Sequence, residues 1–323
     1  MAKYRKQLPQ LSNKYFISNG GLETTLFYKE HVELPCFASF HLLNDESKCQ
    51  WIKNFFIKFA IIAQKYELGL ILESNTWRAS PDWMHKLGYS DQDMININRK
   101  AVELLSDIRK EYETEKCPIV INGCIGPRAD GYNLTMIMSP EEAQKYHTTQ
   151  INIMSNTKAD LITAFTIIYP EEAIGIVRAA KEVNMPIAIS FSVETNGKLP
   201  TGQTIKEAIE LVDKATENTP IYYMINCSHP ISFEDILVPG EAWVDRIHGI
   251  KGNASKKSHA ELDQCKELDD GNPVEFGEHY RILLDKLKNL NILGGCCGTD
   301  HRHMEEVCKA CLNIINQRQH KDH

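Results

Sequence analysis

Residues 159–194 read ADLITAFTIIYPEEAIGIVRAAKEVNMPIAISFSVE, and the fold turns on how this stretch is divided. Two apolar runs rich in β-branched residues, ADLITAFT and PIAISFSVE, flank PEEAIGIVRAAKEV, where apolar residues recur at three- and four-residue steps. Proline followed by two acids, Pro170-Glu171-Glu172, suits a first helical turn. Strand, helix and strand in succession, with both strands continuously apolar, predict parallel pairing in a sheet covered on both faces.

The same unit recurs in both directions. Runs at 15–21 (YFISNGG), 68–75 (LGLILESN), 118–126 (PIVINGCIG), 221–228 (IYYMINCS), 245–255 (DRIHGIKGNAS) and 290–297 (LNILGGCC) bring the expected strands to eight. Helical patterns such as SKCQWIKNFFIKFAIIAQKY, DMININRKAVELLSDIRKEYE, SPEEAQKYHTTQINIMSN and TIKEAIELVDKATEN lie between them. Eight such units predict an α/β protein with one domain over residues 1–323, a closed (β/α)8 TIM barrel rather than an open sheet. Residues 22–46 read as an elaborated loop over one mouth, and the terminal NQRQHKDH reads as a frayed end.

Composition sets the outer limits. At 323 residues, 42% hydrophobic and 24% charged, the chain is globular with ample core. A formal net charge of -7 with no long basic block argues against nucleic acid or an anionic membrane as partner. No apolar run approaches the ~20 residues of a membrane span, and MAKYRKQLPQLSNKY lacks the apolar segment of a signal peptide. A cytoplasmic location is therefore the default expectation. The outer helices of a barrel can face water or copies of the same chain, so a homo-oligomer stays open. In a reducing compartment, ten cysteines point to metal, catalytic or filler roles before disulfides.

In a barrel of this kind the site is assembled at the C-terminal ends of the strands. Those ends carry Asn19-Gly20-Gly21, Glu73-Ser74-Asn75-Thr76, Asn122-Gly123-Cys124, Phe165-Thr166, Ser192-Val193-Glu194, Asn226-Cys227-Ser228, Asn253-Ala254-Ser255 and Gly295-Cys296-Cys297. Adjacent cysteines rarely bond to each other, because the small ring strains the S–S torsion. Cys296 and Cys297 with the distant Cys227 instead suit three thiolate ligands around zinc with one position open, unlike the paired knuckles of a structural site. A substrate thiol at that position would lose its proton near neutral pH. The three can also be read as small buried side chains in tight turns, and residue types alone leave both readings open.

The strings SNGGLETTL, ESNTWRAS, GCIGP, MINCSHP and GGCCGT, in that order from about residue 15 to about 310, resemble the homocysteine S-methyltransferase family. The resemblance implies the same barrel and places Cys227, Cys296 and Cys297 in the family's zinc-ligand positions. It further implies transfer of a methyl group from an onium donor, such as S-methylmethionine, S-adenosylmethionine or betaine, to the thiol of homocysteine, giving methionine. The expected partners are thus a small-molecule thiol acceptor and an onium methyl donor. Trp77, just past the second strand, is the expected aromatic face for the onium, since such faces attract cations.

Two positions depart from the family pattern. Asn19 stands where the family usually has Asp, and Phe165 stands where it usually has Glu before Thr166. Those carboxylates help hold the substrate's ammonium group in the family; Asn offers no charge-assisted pairing and Phe offers no hydrogen bond at all. Either another acid replaces them, with Glu73 and Glu194 at strand ends, or the acceptor lacks the amino group. Arg78 is a partner for Glu73 or for a substrate carboxylate. Gly20, Asn75, Thr76 and Asn226 complete the expected substrate contacts. A non-catalytic metal site would instead need a fourth protein ligand, for which Cys124 and His229 are candidates. His229 otherwise reads as a group supporting Cys227. Cys308 and Cys311, three apart on one helix face, read as packing. His301 and His303 read as a solvated helix start capped by Thr299 or Asp300.

Overall fold

A computed structural model describes residues 1–132 and 134–319. Eight strands close into a parallel barrel in sequence order: β1 (Phe16–Ser18), β2 (Gly69–Glu73), β3 (Ile119–Ile125), β4 (Leu161–Ile167), β5 (Ile187–Ser192), β6 (Tyr223–Asn226), β7 (Ile247–Gly252) and β8 (Ile292–Gly295). Each falls within or at the edge of an expected run. Phe16 pairs with Gly69 on one side and Ile292 on the other, which closes the ring. The helices are α1 (Leu22–Thr24), α2 (Glu46–Lys65), α3 (Pro81–Lys86), α4 (Asp91–Tyr112), α5 (Pro140–Ser155), α6 (Pro170–Glu182), α7 (Ile205–Thr216), α8 (His259–Leu262), α9 (Pro273–Lys286) and α10 (His301–Gln319). No helix among the described residues is long and apolar enough to cross a membrane.

Side chains alternate along a strand, so the residues facing the barrel interior recur every second position. At the N-terminal end an apolar plug of Phe16, Ile71, Val120, Leu161, Ala188, Met224 and Ile292 fills the interior. Two positions further along, four of those faces become Ser18, Glu73, Asn226 and Gly294. The interior thus turns polar toward the C-terminal mouth, where this fold builds its sites. The larger core lies outside the strands, beneath the helices.

The stretch 22–46 is the expected elaborated connection: α1 runs into a wide helical turn at Thr25–Lys29, followed by tight turns at Pro35–Phe37 and Ser39–Asn44. The C-terminal end differs from expectation. Of NQRQHKDH, residues 316–319 continue α10, and 320–323 lie outside the described residues. Cys308 and Cys311 are buried on α10, as packing residues should be. Asp300 caps that helix, its carboxylate accepting from the Arg302 amide at 2.9 Å. His303 is fully buried rather than solvated, because its Nε2 bonds the Asp270 carbonyl at 2.8 Å and its ring packs edge-on against Phe276.

Candidate metal and active site

The ladder does not stop where the strands end. The amide of Cys227 donates to the Lys251 carbonyl (3.1 Å) and that of Cys296 to the Gly252 carbonyl (2.8 Å), so both cysteine segments hang from the end of β7. Asn253 Nδ2 donates to the Cys227 carbonyl (2.9 Å), and the Ala254 amide to that of Cys297 (3.0 Å). Cys227 sits at φ 58°, a left-handed conformation that turns its side chain back over the mouth. The sulfurs of Cys227, Cys296 and Cys297 consequently lie within 4.8 Å of one another. No other His, Cys, Asp or Glu among the described residues joins that group.

Cys227 Sγ is 2.7 Å from Cys296 Sγ and 3.8 Å from Thr166 Oγ1. Hydrogen bonds from Cys296, Cys297 and the Tyr132 hydroxyl pull the Cys227 thiol well below its ordinary range. Bonding to Cys227 pushes the Cys296 and Cys297 thiols up. Three sulfurs this close, joined by shared hydrogen bonds, form a soft donor set of the kind a thiophilic cation takes. Tyr132 stacks on His259 with ring centroids 3.7 Å apart, and the two sit over the cluster as an aromatic cover. Burial lowers the His259 imidazole and raises the Tyr132 hydroxyl, keeping both neutral.

The cluster opens into a cavity of about 490 Å³. At its inner end a buried ion pair links Glu73 Oε2 to Lys251 Nζ at 2.8 Å. The Lys251 ammonium also donates to Ser18 Oγ (3.0 Å) and the Asn19 carbonyl (2.8 Å), which uses all three of its hydrogens. The side chain reaches across β8 because residue 294 is glycine: a Cβ there would stand 2.9 Å from Lys251 Cγ and 2.1 Å from Ser18 Oγ. Burial pushes the Glu73 carboxyl up, and Lys251 pulls it back.

The glycine pair after β1 serves close approach. A Cβ on Gly21 would lie 2.6 Å from the Cys296 carbonyl oxygen. Gly21 N donates to the Thr299 carbonyl and Gly298 N to Thr24 Oγ1, both at 3.0 Å, so α1 is tied to the cysteine turn. Glu23 rides on α1 and lines the cavity, its Oε1 accepting from Ser39 Oγ. Burial raises its carboxyl.

The expected site residues divide accordingly. Asn19, Gly20, Glu73, Asn75, Trp77, Arg78, Asn226 and the three cysteines line the cavity. Asn19 Oδ1 accepts from the Glu73 amide (3.1 Å), while Asn75 Nδ2 donates to the Ser39 carbonyl (3.3 Å). Asn226 Oδ1 accepts from the Thr166 amide (3.0 Å) and Ser190 Oγ (2.7 Å). Thr76 and Glu194 are not among the lining residues: Thr76 is fully buried with its hydroxyl on the Cys124 carbonyl, and Glu194 lies half-buried in the loop after β5.

Three expected pairings come out differently. Glu73 finds Lys251 rather than Arg78, because both charges point into the barrel. Arg78 pairs with Asp130 (3.4 Å) and its guanidinium lies over Trp83 (3.8 Å) and Trp77 (4.6 Å), so Trp77 already carries a cation from its own chain. His229 turns toward α9, with its ring against His279 and Phe276, and burial lowers its imidazole to about 4. Cys124 lines the cavity outside the sulfur group.

Lys251, Glu23, Tyr132 and His259 are among the lining residues the sequence reading passed over. A signal existed for Lys251, since HGIKG and LGLILE each end an apolar strand with one charge, and the two charges are opposite. Glu23 stood two residues after the glycine pair. Tyr132 lies in the connection after β3 and His259 opens the short α8 after β7, in connections whose length gives no register.

Fold and site together define a (β/α)8 barrel whose strand ends converge three thiols on one cavity. A profile of the homocysteine S-methyltransferase family matches residues 16–311, and the chain belongs to that family. It is 22% identical over 267 residues to homocysteine S-methyltransferase 2 of Arabidopsis thaliana, covering 75% of this chain and 79% of the relative. It is also 22% identical over 265 residues to the selenocysteine Se-methyltransferase of Brassica oleracea var. italica, covering 75% of each. The structure matches the metallated homocysteine methyltransferase MmuM of Escherichia coli at a TM-score of 0.73, with 14% identity over 96% of this chain and 99% of that one.

Proposed function

We propose that the chain transfers a methyl group from an onium donor to the thiol of homocysteine, or to a closely related thiol or selenol, with zinc held by Cys227, Cys296 and Cys297. The observation that carries this reading is the convergence of three sulfurs, with no fourth His, Cys, Asp or Glu ligand among the described residues, on one cavity at the barrel mouth. Soft thiolates suit zinc, and three protein ligands leave a position for a substrate atom. When bound there, zinc lowers the pKa of a coordinating thiol and so supplies a nucleophile at neutral pH.

The chain's own residues do the rest. The β7 anchors fix the direction of the three sulfurs, while the Tyr132–His259 stack and the 22–46 connection limit water at the reacting atoms. The new sulfur–methyl bond forms as the onium–methyl bond breaks, its electron pair leaving with the now neutral donor, and the acceptor's proton passes to solvent. Relatives named for homocysteine and selenocysteine match at equal identity, which supports the thiol-or-selenol class of acceptor. X-ray absorption at the zinc edge tests the reading: the sulfur count should rise by one when homocysteine is added. An unchanged count removes homocysteine as acceptor, and purified protein without zinc removes the whole reading.

A further inference from the structure

Among the described residues, Glu23 is the one non-exposed carboxylate lining the cavity that lacks a cationic partner. Glu73 is held by Lys251, Asp130 by Arg78, and Asp269 by Lys257 at 3.3 Å, while Asp263 and Glu267 lie exposed at the rim. One Glu23 oxygen accepts from Ser39 Oγ; the other receives no hydrogen bond from another residue described. A desolvated carboxylate without a counter-charge is costly, and it becomes favourable only when a cation arrives.

The carboxylate is also fixed in place. The bonds from Gly21 to Thr299 and from Gly298 to Thr24 tie the turn bearing Glu23 to the turn bearing Cys296 and Cys297. Glu23 and the three cysteines line the same cavity. The two positions where the family usually has acids are neutral here, Asn19 being engaged with Glu73 and Gly20 and Phe165 having no polar atom.

Resting on the function proposed above, we infer that Glu23 anchors the α-ammonium group of the acceptor and so selects amino-acid thiols or selenols over simple ones. An ammonium brings N–H donors that fill the free acceptor sites of the carboxylate. The cationic centre of a sulfonium or quaternary ammonium carries none.

Cobalt-substituted protein gives the test, because sulfur-to-cobalt charge-transfer bands report thiolate binding without turnover. It is titrated with homocysteine and with γ-mercaptobutyrate, which lacks only the amino group. Wild type should bind homocysteine about 10- to 100-fold more tightly, the range of a hydrogen bond to a charged group. Glu23→Gln should erase that difference by weakening homocysteine alone, and Glu23→Asp should keep part of it. Equal affinities in wild type, or equal weakening of both thiols in Glu23→Gln, overturn the assignment. Bands that respond to neither thiol overturn the thiol-acceptor reading itself, and the role of Glu23 with it.

Discussion

Lys251→Met should be the most damaging single substitution inside the barrel. At 2.8 Å, with an effective dielectric of about 20, the attraction between Lys251 and Glu73 is about 6 kcal/mol. Desolvation of both ions offsets much of this in the intact pair. Removing the ammonium strands Glu73 without its counter-ion and leaves Ser18 Oγ and the Asn19 carbonyl without their donor. The expected loss is about 3–5 kcal/mol, the range for breaking a buried pair from one side. Replacing both partners by apolar groups of similar volume, Glu73→Leu with Lys251→Met, should recover most of it. Urea unfolding followed by circular dichroism and tryptophan fluorescence measures the cycle where the two transitions coincide. A single variant within about 1 kcal/mol of wild type, or a double variant worse than the single, would refute this account of the inner charges.

Three further outcomes follow from the same geometry. Gly21→Ala drives a methyl into the Cys296 carbonyl, at 2.6 Å, and Thr24 Oγ1, at 2.5 Å; it should cost about 1–3 kcal/mol and lower zinc content measured by mass spectrometry, whereas full zinc loading speaks against the contact. Alanine at Cys227, Cys296 or Cys297 should each weaken zinc by at least about tenfold in chelator competition while leaving far-UV dichroism unchanged; unaltered affinity in any one removes that sulfur from the ligand set. Burial alone would raise the Asp300 carboxyl, but hydrogen bonds from His303, Arg302 and Lys29 hold it well below the usual carboxylate range. Since the folded form binds that proton less tightly than the unfolded one, its stabilisation is complete above the ordinary aspartate pKa of about 3.9 and is lost as pH falls toward the folded value. Asp300→Asn should therefore flatten the acid limb of stability between about pH 4 and about pH 2, and an unchanged limb contradicts the linkage.

How far the sequence could be read depended on the range of the interaction. Strands such as LGLILE and ITAFT announce themselves through local composition, and the order of eight such runs limits the topology to very few solutions. The cysteine trio was legible because barrel strand ends share one mouth, whatever their separation along the chain. Glu73 was noticed as an acid in an apolar strand, yet the one partner offered for it was Arg78, five residues on in sequence. The true partner lies 178 residues away and depends on the bare backbone at Gly294, a packing fact with no local signature. His229 failed in a similar way: nearness to Cys227 along the chain says little once the backbone turns through φ 58° between them and α9 takes up the ring.

Thr166 shares with Cys227 a left-handed backbone, at φ 61°, beside a break in the β4–β5 register. Branched side chains resist that conformation, so the bend is retained against its own preference by the amide's bond to Asn226. Selection for heat tolerance alone should sample Thr166→Gly, since it relaxes the bend, although the buried Asn226 Nδ2 then loses the hydroxyl it donates to at 3.0 Å. What such a lineage would lose is the hydroxyl beside Cys227, and robustness would have been traded for a looser grip on the reacting atoms.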